Sequence, residues 1–130
     1  MQCVKANIPI TIIEGGTYDK TFRWESGGEL VDITGYSAKM EVRAKLTSAT
    51  ALISITDETG WAADGTSGIY IDGTAGEYRV YINDIDASDI LSDHKDTVGV
   101  YDLFLYSDSG EAVMKQYGKC TLLAAVTRSA

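Results

Sequence analysis

His94 is the chain's only histidine and the first residue to consider for chemistry. It lies in the acidic loop from Ser92 to Asp96, where an imidazole beside a carboxylate could act as a general base or bind a metal. A zinc site needs several ligands at short spacing, whereas Cys3 and Cys120 lie far apart in the sequence. We therefore interpret His94 as a solvated loop residue. We predict no catalytic, metal-binding or cofactor-binding residue.

A cluster of aspartates surrounds that histidine and suggests calcium binding as one interpretation. Its members are Asp84, Asp86, Asp89, Asp93 and Asp96. Calcium loops of the EF-hand type space their oxygen ligands around a central glycine. This segment contains no glycine, and apolar residues such as Ile85 and Ile90 interrupt it. We interpret it instead as a short helix whose first turn offers Asp84, Asp86 or Ser88 as the N-cap.

A second acidic group lies in turn-rich sequence upstream and consists of Asp57, Glu58, Asp64 and Asp72. These residues could gather in the loops at one end of a β-sandwich, where binding sites are common. Mixtures of Asp, Gly and Thr are also typical of solvated turns, so both interpretations stay open. The Gly- and Ser-containing strings form neither a phosphate loop nor a nucleophile elbow.

The structural signal is strict alternation of apolar and polar residues. From Tyr36 to Lys45 every second residue is apolar, and the residues between are polar or charged. Successive strand side chains point to opposite faces, so this period indicates a strand with one dry and one wet face. The segment Glu77–Asn83 shows the same alternation. Val98–Tyr106 is the most β-prone segment, with Tyr101, Leu103 and Leu105 on one face. A hairpin turn at 107–110 then predicts a last strand from Ala112 to Thr127.

These segments predict an all-β fold, namely an antiparallel, immunoglobulin-like β-sandwich of about 7–9 strands with one short helix near 84–92. A small closed barrel is the alternative. The candidate first strand is Ile8–Ile13, with Pro9 near its start, and Gly118 is a candidate bulge in the last strand. The chain has 130 residues and no internal repeat. We expect a single β-sandwich domain spanning 1–130.

The chain is strongly acidic, with eleven basic and nineteen acidic residues and a formal net charge of −8. A field of this sign repels nucleic acid and anionic lipid, so we expect neither a nucleic-acid nor a membrane partner. The same charge favours either a soluble monomer or assembly with a basic partner.

Cys3 and Cys120 are the only cysteines, and we expect two free thiols because disulfide frameworks usually contain more cysteines. A bridge between them is the alternative if Cys3 begins a first strand that pairs with the last one. The N-terminus lacks a secretory signal pattern, and no apolar run approaches the roughly 20 residues that span a bilayer. Synthesis in a cytosol is therefore expected.

Aromatic residues are the best lead to a binding surface. Tyr70, Tyr81, Phe104 and Tyr106 fall opposite the expected core residues of their strands, and exposed aromatics on a sheet often contact a protein or a glycan. A loop or a second sheet could instead cover them if the register is off by one. Trp61, in a Gly-rich loop, is the candidate platform for a sugar.

Two stretches resemble a known group of proteins. D-I-T-G-Y-S-A-K-M-E-V-R (Asp32 to Arg43) and Y-D-L-F-L-Y-S-D-S-G-E-A-V (Tyr101 to Val113), closing on V-T-R (Val126 to Arg128), resemble small all-β virion proteins of tailed bacteriophages. In outline the pattern is also similar to the N-terminal domain of lactococcal phage baseplate upper proteins. The resemblance covers most of the chain in order, and its motifs consist of ordinary strand and turn residues.

The resemblance implies an immunoglobulin-like sandwich in a tail, baseplate, adaptor or capsid-surface position. The expected location is the virion, and the expected partners are other virion proteins, with this chain repeated in a homo-oligomer or symmetric assembly. It implies a non-enzymatic role through protein–protein contacts, and it assigns no functional residues. A carbohydrate- or receptor-binding module is the alternative, and a hydrolase or metal enzyme is the least favoured.

Overall fold

The computed structural model describes residues 6–91 and 95–125 and consists mainly of β-strands. The strands and the helix are β1 (Ala6–Asn7), β2 (Ile10–Ile13), β3 (Tyr18–Arg23), β4 (Glu25–Ser26), β5 (Glu29–Leu30), β6 (Ser37–Arg43), β7 (Ile53–Glu58), β8 (Gly68–Asp72), β9 (Glu77–Ile82), α1 (Asp84–Ile90), β10 (Thr97–Tyr106) and β11 (Ala112–Leu123). The predicted all-β class and the short helix are confirmed. The expected first strand, Ile8–Ile13, is shorter in the structure: β2 begins at Ile10, after Pro9, which cannot donate to a ladder, and the separate strand β1 precedes it.

Within residues 6–91 and 95–125, nine strands join in one sheet in the order β1-β11-β10-β6-β7-β8-β9-β3, with β2 also paired to β11. The strands β4 and β5 form a separate hairpin. The expectation of a purely antiparallel sheet is wrong. Both β1 and β2 run parallel to β11, and β7 runs parallel to β8. No pairing joins the two ends of this order in the described chain, so the closed barrel is also wrong.

The sheet curls at β7, which changes its partner along its length. Residues 53–56 pair with β6, whereas Asp57 and Glu58 pair with β8. At the change, the Asp57 carboxylate accepts a hydrogen bond of 3.1 Å from the Ala38 backbone N–H. This bond satisfies the donor that the departing strand would otherwise leave unpaired. The sheet therefore has a front half (β1, β2, β11, β10, β6 and the start of β7) and a back half (the end of β7, β8, β9 and β3).

The inward side chains of both halves form a single hydrophobic core. Met40, Leu103 and Leu105 come from the front half, and Val80 and Ile82 come from the back half. Each is buried, because alternation places every second residue of its strand on the inner face. The inward assignments made from sequence for β6, β9 and β10 are confirmed.

A one-residue bulge interrupts this alternation in β11. Leu103 pairs with Gln116 and Phe104 pairs with Met114, so Lys115 is the extra residue. Both Lys115 and Gln116 are therefore buried, and the Lys115 ammonium lies 4.4 Å from the centre of the Trp24 ring. The bulge reverses which residues face inward: Val113 packs against the core before it, and Cys120 and Leu122 after it.

The bulge was expected at Gly118, which has another role. Gly118 has a φ of +154°, and a Cβ at this position would lie 2.9 Å from both the Ile8 carbonyl oxygen and the Asn7 side-chain oxygen. The glycine thus permits the close approach of β1 to β11, which any side chain would prevent.

A buried chain of hydrogen bonds crosses the core between the two halves. The Tyr78 hydroxyl of β9 donates to the Gln116 Oε1 of β11 at 2.7 Å, and the Gln116 Nε2 donates to the Tyr101 hydroxyl of β10 at 3.0 Å. The Tyr101 hydroxyl donates in turn to the Ile8 carbonyl oxygen. Gln116 is 1% exposed, and burial raises the pKa of both tyrosine hydroxyls above its usual value.

Replacing Gln116 with Leu removes the centre of this chain and leaves the Tyr78 hydroxyl buried without its acceptor. We expect the free energy of unfolding to fall by about 2–3 kcal/mol, because an unpaired buried polar group retains its full desolvation cost. Urea titration followed by tryptophan fluorescence measures the change. Tyr106→Phe removes a hydroxyl from the outer face and should change stability by less than about 0.5 kcal/mol. Equal stability of Gln116→Leu and wild type would contradict the role of the chain.

Candidate contact surfaces

The five aromatic residues proposed for contact divide between two outer faces of the sheet. Phe104 and Tyr106 lie on the outer face of the front half, which we call the front face, and their rings stack at a centroid distance of 6.1 Å. Tyr70 and Tyr81 lie on the outer face of the back half, which we call the back face. Tyr70 of β8 is paired with Arg79 of β9, and Tyr81 lies two residues after Arg79 on the same strand. Trp61 contacts this back face from the loop after β7. The structure therefore does not unite the five residues in one surface.

Tyr70 is not an exposed contact residue. It is 1% exposed although it lies outside the core cluster, and its hydroxyl donates to the Thr66 carbonyl oxygen. The loop between β7 and β8 thus covers it, which was the alternative left open from sequence. The prediction of Tyr70 as part of an open contact surface is wrong, because alternation identifies a face but not the loop that folds over it.

Arg79 organises the rest of the back face. Its guanidinium forms two bonds of 2.8 and 2.7 Å to the Asp19 carboxylate and a bond of 2.6 Å to the Trp61 carbonyl oxygen. The guanidinium carbon also lies 5.7 Å from the Trp61 ring centre and 5.4 Å from that of Tyr81. The hydrogen bonds from Arg79 lower the pKa of Asp19. Two of the candidate aromatics thus already contact a cation of this chain.

Trp61 retains an open surface nonetheless. It is 39% exposed and lines a groove of about 550 Å³ together with Ile71 and Asp72. Both Trp61 and Ala62 have a left-handed backbone, with φ of 53° and 61°. Non-glycine residues rarely adopt this conformation, and they persist in it only where surrounding contacts hold them. Here the Arg79 bond to the Trp61 carbonyl supplies such a contact.

Several carboxylates of the two acidic groups accept hydrogen bonds from other residues of this chain. Asp57 accepts from Ala38, as described above, while Asp64 accepts from the Thr66 N–H and Asp72 from the Thr74 hydroxyl. The hydrogen bonds from Thr66 lower the pKa of Asp64. Three or more His, Cys, Asp or Glu side chains do not gather in any metal-binding arrangement within residues 6–91 and 95–125.

The helix α1 begins at a residue that the sequence interpretation missed. Asn83 is the N-cap, and its side chain accepts from the Asp86 N–H at 2.8 Å. Asp84 and Asp86 occupy the first turn instead, where a negative charge interacts favourably with the helix dipole. Asp96 accepts from the Ala124 N–H. Asp93 and His94 lie outside the described residues.

Cys120 is a free, buried thiol on the core side of β11. Burial raises its pKa to about 12, so the thiol stays protonated at neutral pH and is a poor nucleophile. In the parallel pairing of β2 with β11, its partner is Ile10. Cys3 lies outside the described residues.

The front face carries apolar side chains that no second layer of residues 6–91 and 95–125 covers. Ile13 and Leu123 are directly paired and are 50% and 36% exposed, and Val98 is 58% exposed. Phe104 and Tyr106 continue this surface along β10. Antiparallel sheets commonly face water on one side with polar residues, so an apolar outer face indicates a contact surface.

The front face also contains a groove of about 520 Å³ around the middle of β10. Val100, Met114 and Tyr117 contribute its apolar lining, and Leu46, which is 83% exposed, stands at its border. Asp102 lies among them as the acidic residue of β10, paired with Glu41 on one side and Tyr117 on the other.

The Asp102 carboxylate is partly buried, and no hydrogen bond or ion pair joins it to a described residue. Burial raises its pKa, and the charge of Glu41 raises it further against an opposing effect of Arg43. Sequence analysis missed this residue. The available signal was a single acidic residue inside the otherwise uncharged strand V-G-V-Y-D-L-F-L-Y.

The edges of the sheet are less suited to contact than its front face. At one edge, β3 carries Lys20 opposite the buried Val80, and Lys20 is nevertheless exposed. A charge on the core side of an edge strand opposes the addition of another strand. At the other edge, Pro9 separates the short strands β1 and β2, and proline likewise discourages pairing.

Comparisons with known proteins add no relative. No protein-family model matches the chain, and a search of curated proteins finds no similar sequence. Across residues 6–91 and 95–125, no helix combines the length and the apolar character that crossing a membrane requires.

Replacing Asp102 with Asn should stabilise the folded protein at pH 7 by roughly 0.5 kcal/mol, because it removes a partly buried charge that solvent screens only in part. The pKa of Asp102 is raised in the folded state, so its cost is present above that pKa and fades as the pH falls towards its ordinary value of 3.8. Urea titrations at pH 7 and pH 3.5 should therefore show a gain that shrinks at the lower pH.

Glu29→Gln, on the exposed β5, removes the same charge outside the groove and serves as the control. It should not show a gain in stability at pH 7 that shrinks at pH 3.5, because its charge is exposed to solvent. A lower stability of Asp102→Asn than of wild type at pH 7 would contradict the interpretation of Asp102 as an unpaired charge.

Proposed function

We propose that this protein is a non-enzymatic structural component of a tailed-phage particle, acting through protein–protein contacts in a tail, baseplate, adaptor or capsid-surface position. The single observation that carries the contact role is the exposure of three large apolar side chains on the front face, Ile13, Val98 and Leu123. Surfaces of this kind usually mark an interaction site. The virion assignment is supported by the sequence resemblance alone.

The two resembling stretches form the centre of the front half. Asp32–Arg43 includes β6, and Tyr101–Val113 includes most of β10 and the start of β11. Met40 of the first stretch pairs with Leu103 of the second, and Ala38 pairs with Leu105. The stretch Val126–Arg128 lies outside the described residues. A shared pattern in these strands would therefore preserve both the core and the contact face.

We propose further that the fold is an immunoglobulin-like sandwich. In such domains one sheet has the order G, F, C, C′ and the other contains B, E and D. The order β11, β10, β6, β7 corresponds to the first set, and β3, β9, β8 corresponds to the second. The parallel pairing of β7 with β8 departs from separate sheets, because it joins the two sets along one edge.

The assembly role is tested in the phage that encodes this chain. An amber stop at the codon of Trp24, grown in a non-suppressing host, should yield defective particles or incomplete assemblies in negative-stain images, with infectivity reduced at least about 100-fold. Growth in a suppressing host should restore both. Infectious particles of normal appearance that lack this protein would contradict the proposal.

The contact face is tested with matched variants in the same phage. Phe104→Glu places a charge on the front face, and Thr21→Glu places the same charge on the exposed back face. We expect the assembly defect for Phe104→Glu and normal particles for Thr21→Glu, because a desolvated charge in a contact costs binding energy. Circular dichroism of both purified proteins confirms that they are folded. The reverse pattern would assign the contact to the back face.

A carbohydrate- or receptor-binding module is the second candidate, favoured by the exposed Trp61 at its groove with Asp72. An indole face packs on sugar C–H groups, and a carboxylate accepts hydroxyl hydrogen bonds. If this candidate is right, a glycan array will show binding that Trp61→Ala abolishes and Trp24→Phe, in the core, preserves. Binding that survives in Trp61→Ala, or no binding by wild type, dismisses it.

A further inference from the structure

Asp102 is the chemically unusual feature of the front face. Its carboxylate lies at the centre of a strand, in a groove, and receives no hydrogen bond from a described residue. A partly desolvated charge without a partner lowers the stability of a fold. Such a residue is expected where its partner comes from another molecule, because binding then supplies the missing donor.

The nearby cations of β6 bind groups other than Asp102. Arg43 binds Glu41 at 2.8 Å and the Ser48 carbonyl oxygen at 2.9 Å, and the Lys39 ammonium also lies 3.6 Å from Glu41. Lys119 follows on the other side, paired in register with Val100, and forms no ion pair with Asp102. Glu41 therefore binds the cations of β6, and among residues 6–91 and 95–125 none donates to the Asp102 carboxylate.

The groove around this carboxylate combines apolar and charged groups. Val100, Met114 and Tyr117 line it together with Glu41, Arg43 and Lys119, and its volume of about 520 Å³ is within the usual range of binding pockets, about 300–1,000 Å³. An occupant that places a cationic head on Asp102 and apolar side chains on Val100, Met114 and Tyr117 fits this lining. The net charge of −8 also attracts a basic partner over longer distances.

We propose that this groove binds an extended segment of a partner protein in which one lysine or arginine, flanked by apolar residues, pairs with the Asp102 carboxylate. The inference rests on the proposed contact role of the front face and specifies the chemistry of the partner. A segment that inserts into the groove buries Val100 and Tyr117 and supplies a donor that the described part of the chain does not. The groove lies on the face of the sheet and not at an edge. Both edges carry residues that oppose the addition of another strand.

A random 12-residue peptide library is the probe. The library is selected on immobilised wild-type protein and, in parallel, on the Asp102→Asn variant. We expect sequences enriched on wild type alone to share a lysine or arginine between apolar residues. Enrichment of no shared basic residue, or of the same sequences on both proteins, would overturn the proposal.

The strongest peptide is then titrated by fluorescence anisotropy. Asp102→Asn should weaken binding about ten-fold or more, and replacing the basic residue of the peptide with Gln should have the same effect. Glu29→Gln should bind within about two-fold of wild type. Since Asp102→Asn is expected to be the more stable protein, lost binding cannot be attributed to unfolding. Unchanged binding to Asp102→Asn contradicts the pairing.

Two further outcomes separate this inference from the proposed function. If the amber phage fails to assemble but phage carrying Asp102→Asn assemble normally, the structural role stands and the Asp102 contact is wrong. If particles of the amber phage grown without suppression are normal, the proposed virion role is wrong. The peptide titration is then the only test of which ligand the groove binds. A wild-type dimer in sedimentation that dissociates in Asp102→Lys would identify a second copy as the occupant and overturn the proposal.

Discussion

The buried hydrogen bonds of Gln116 hold the two halves of the sheet in one arrangement. They connect β9 to β10 and β11 across the core, and through Tyr101 they reach the Ile8 carbonyl beside the first strands. Apolar packing is non-directional and would tolerate sliding of one half over the other. Hydrogen bonds with fixed donors and acceptors do not, so they specify one arrangement of the two halves.

The same residue links the core to the contact face. The bulge at Lys115 turns Gln116 inward, and every later residue of β11 keeps the resulting orientation. Tyr117 and Lys119 consequently face outward, beside Asp102 and Val100. A β11 without the bulge would send Tyr117 into the core and Gln116 into the groove. One extra residue therefore determines both the polar chain inside and the surface outside.

Sequence alternation predicted much of this fold but only part of the sites. It identified the inward residues of β6, β9 and β10, because their side chains respond to a local period of two. The extra residue Lys115 breaks that period, and it is recognised only from the way β11 pairs with β10. The parallel pairing of β2 with β11 joins residues far apart in the sequence. Neither feature leaves a local signal. Tyr70 was expected to be exposed, but the loop before β8 covers it, and the Thr66 carbonyl oxygen of that loop accepts from its hydroxyl. The sequence shows Asp102 as one charge in an apolar strand. Only the structure shows that its cross-strand neighbours, Glu41 and Tyr117, do not form an ion pair with it.

Proton–proton distances around Gln116 in solution test the inward orientation of this side chain. In a nuclear Overhauser spectrum, we expect cross-peaks from the Gln116 side-chain amide protons to the ring protons of both Tyr78 and Tyr101. We also expect that the Tyr117 ring shows none to Tyr78. Cross-peaks from the Gln116 amide to Phe104, together with Tyr117 contacts to Tyr78, would show an unbulged β11 and would contradict both the core and the groove.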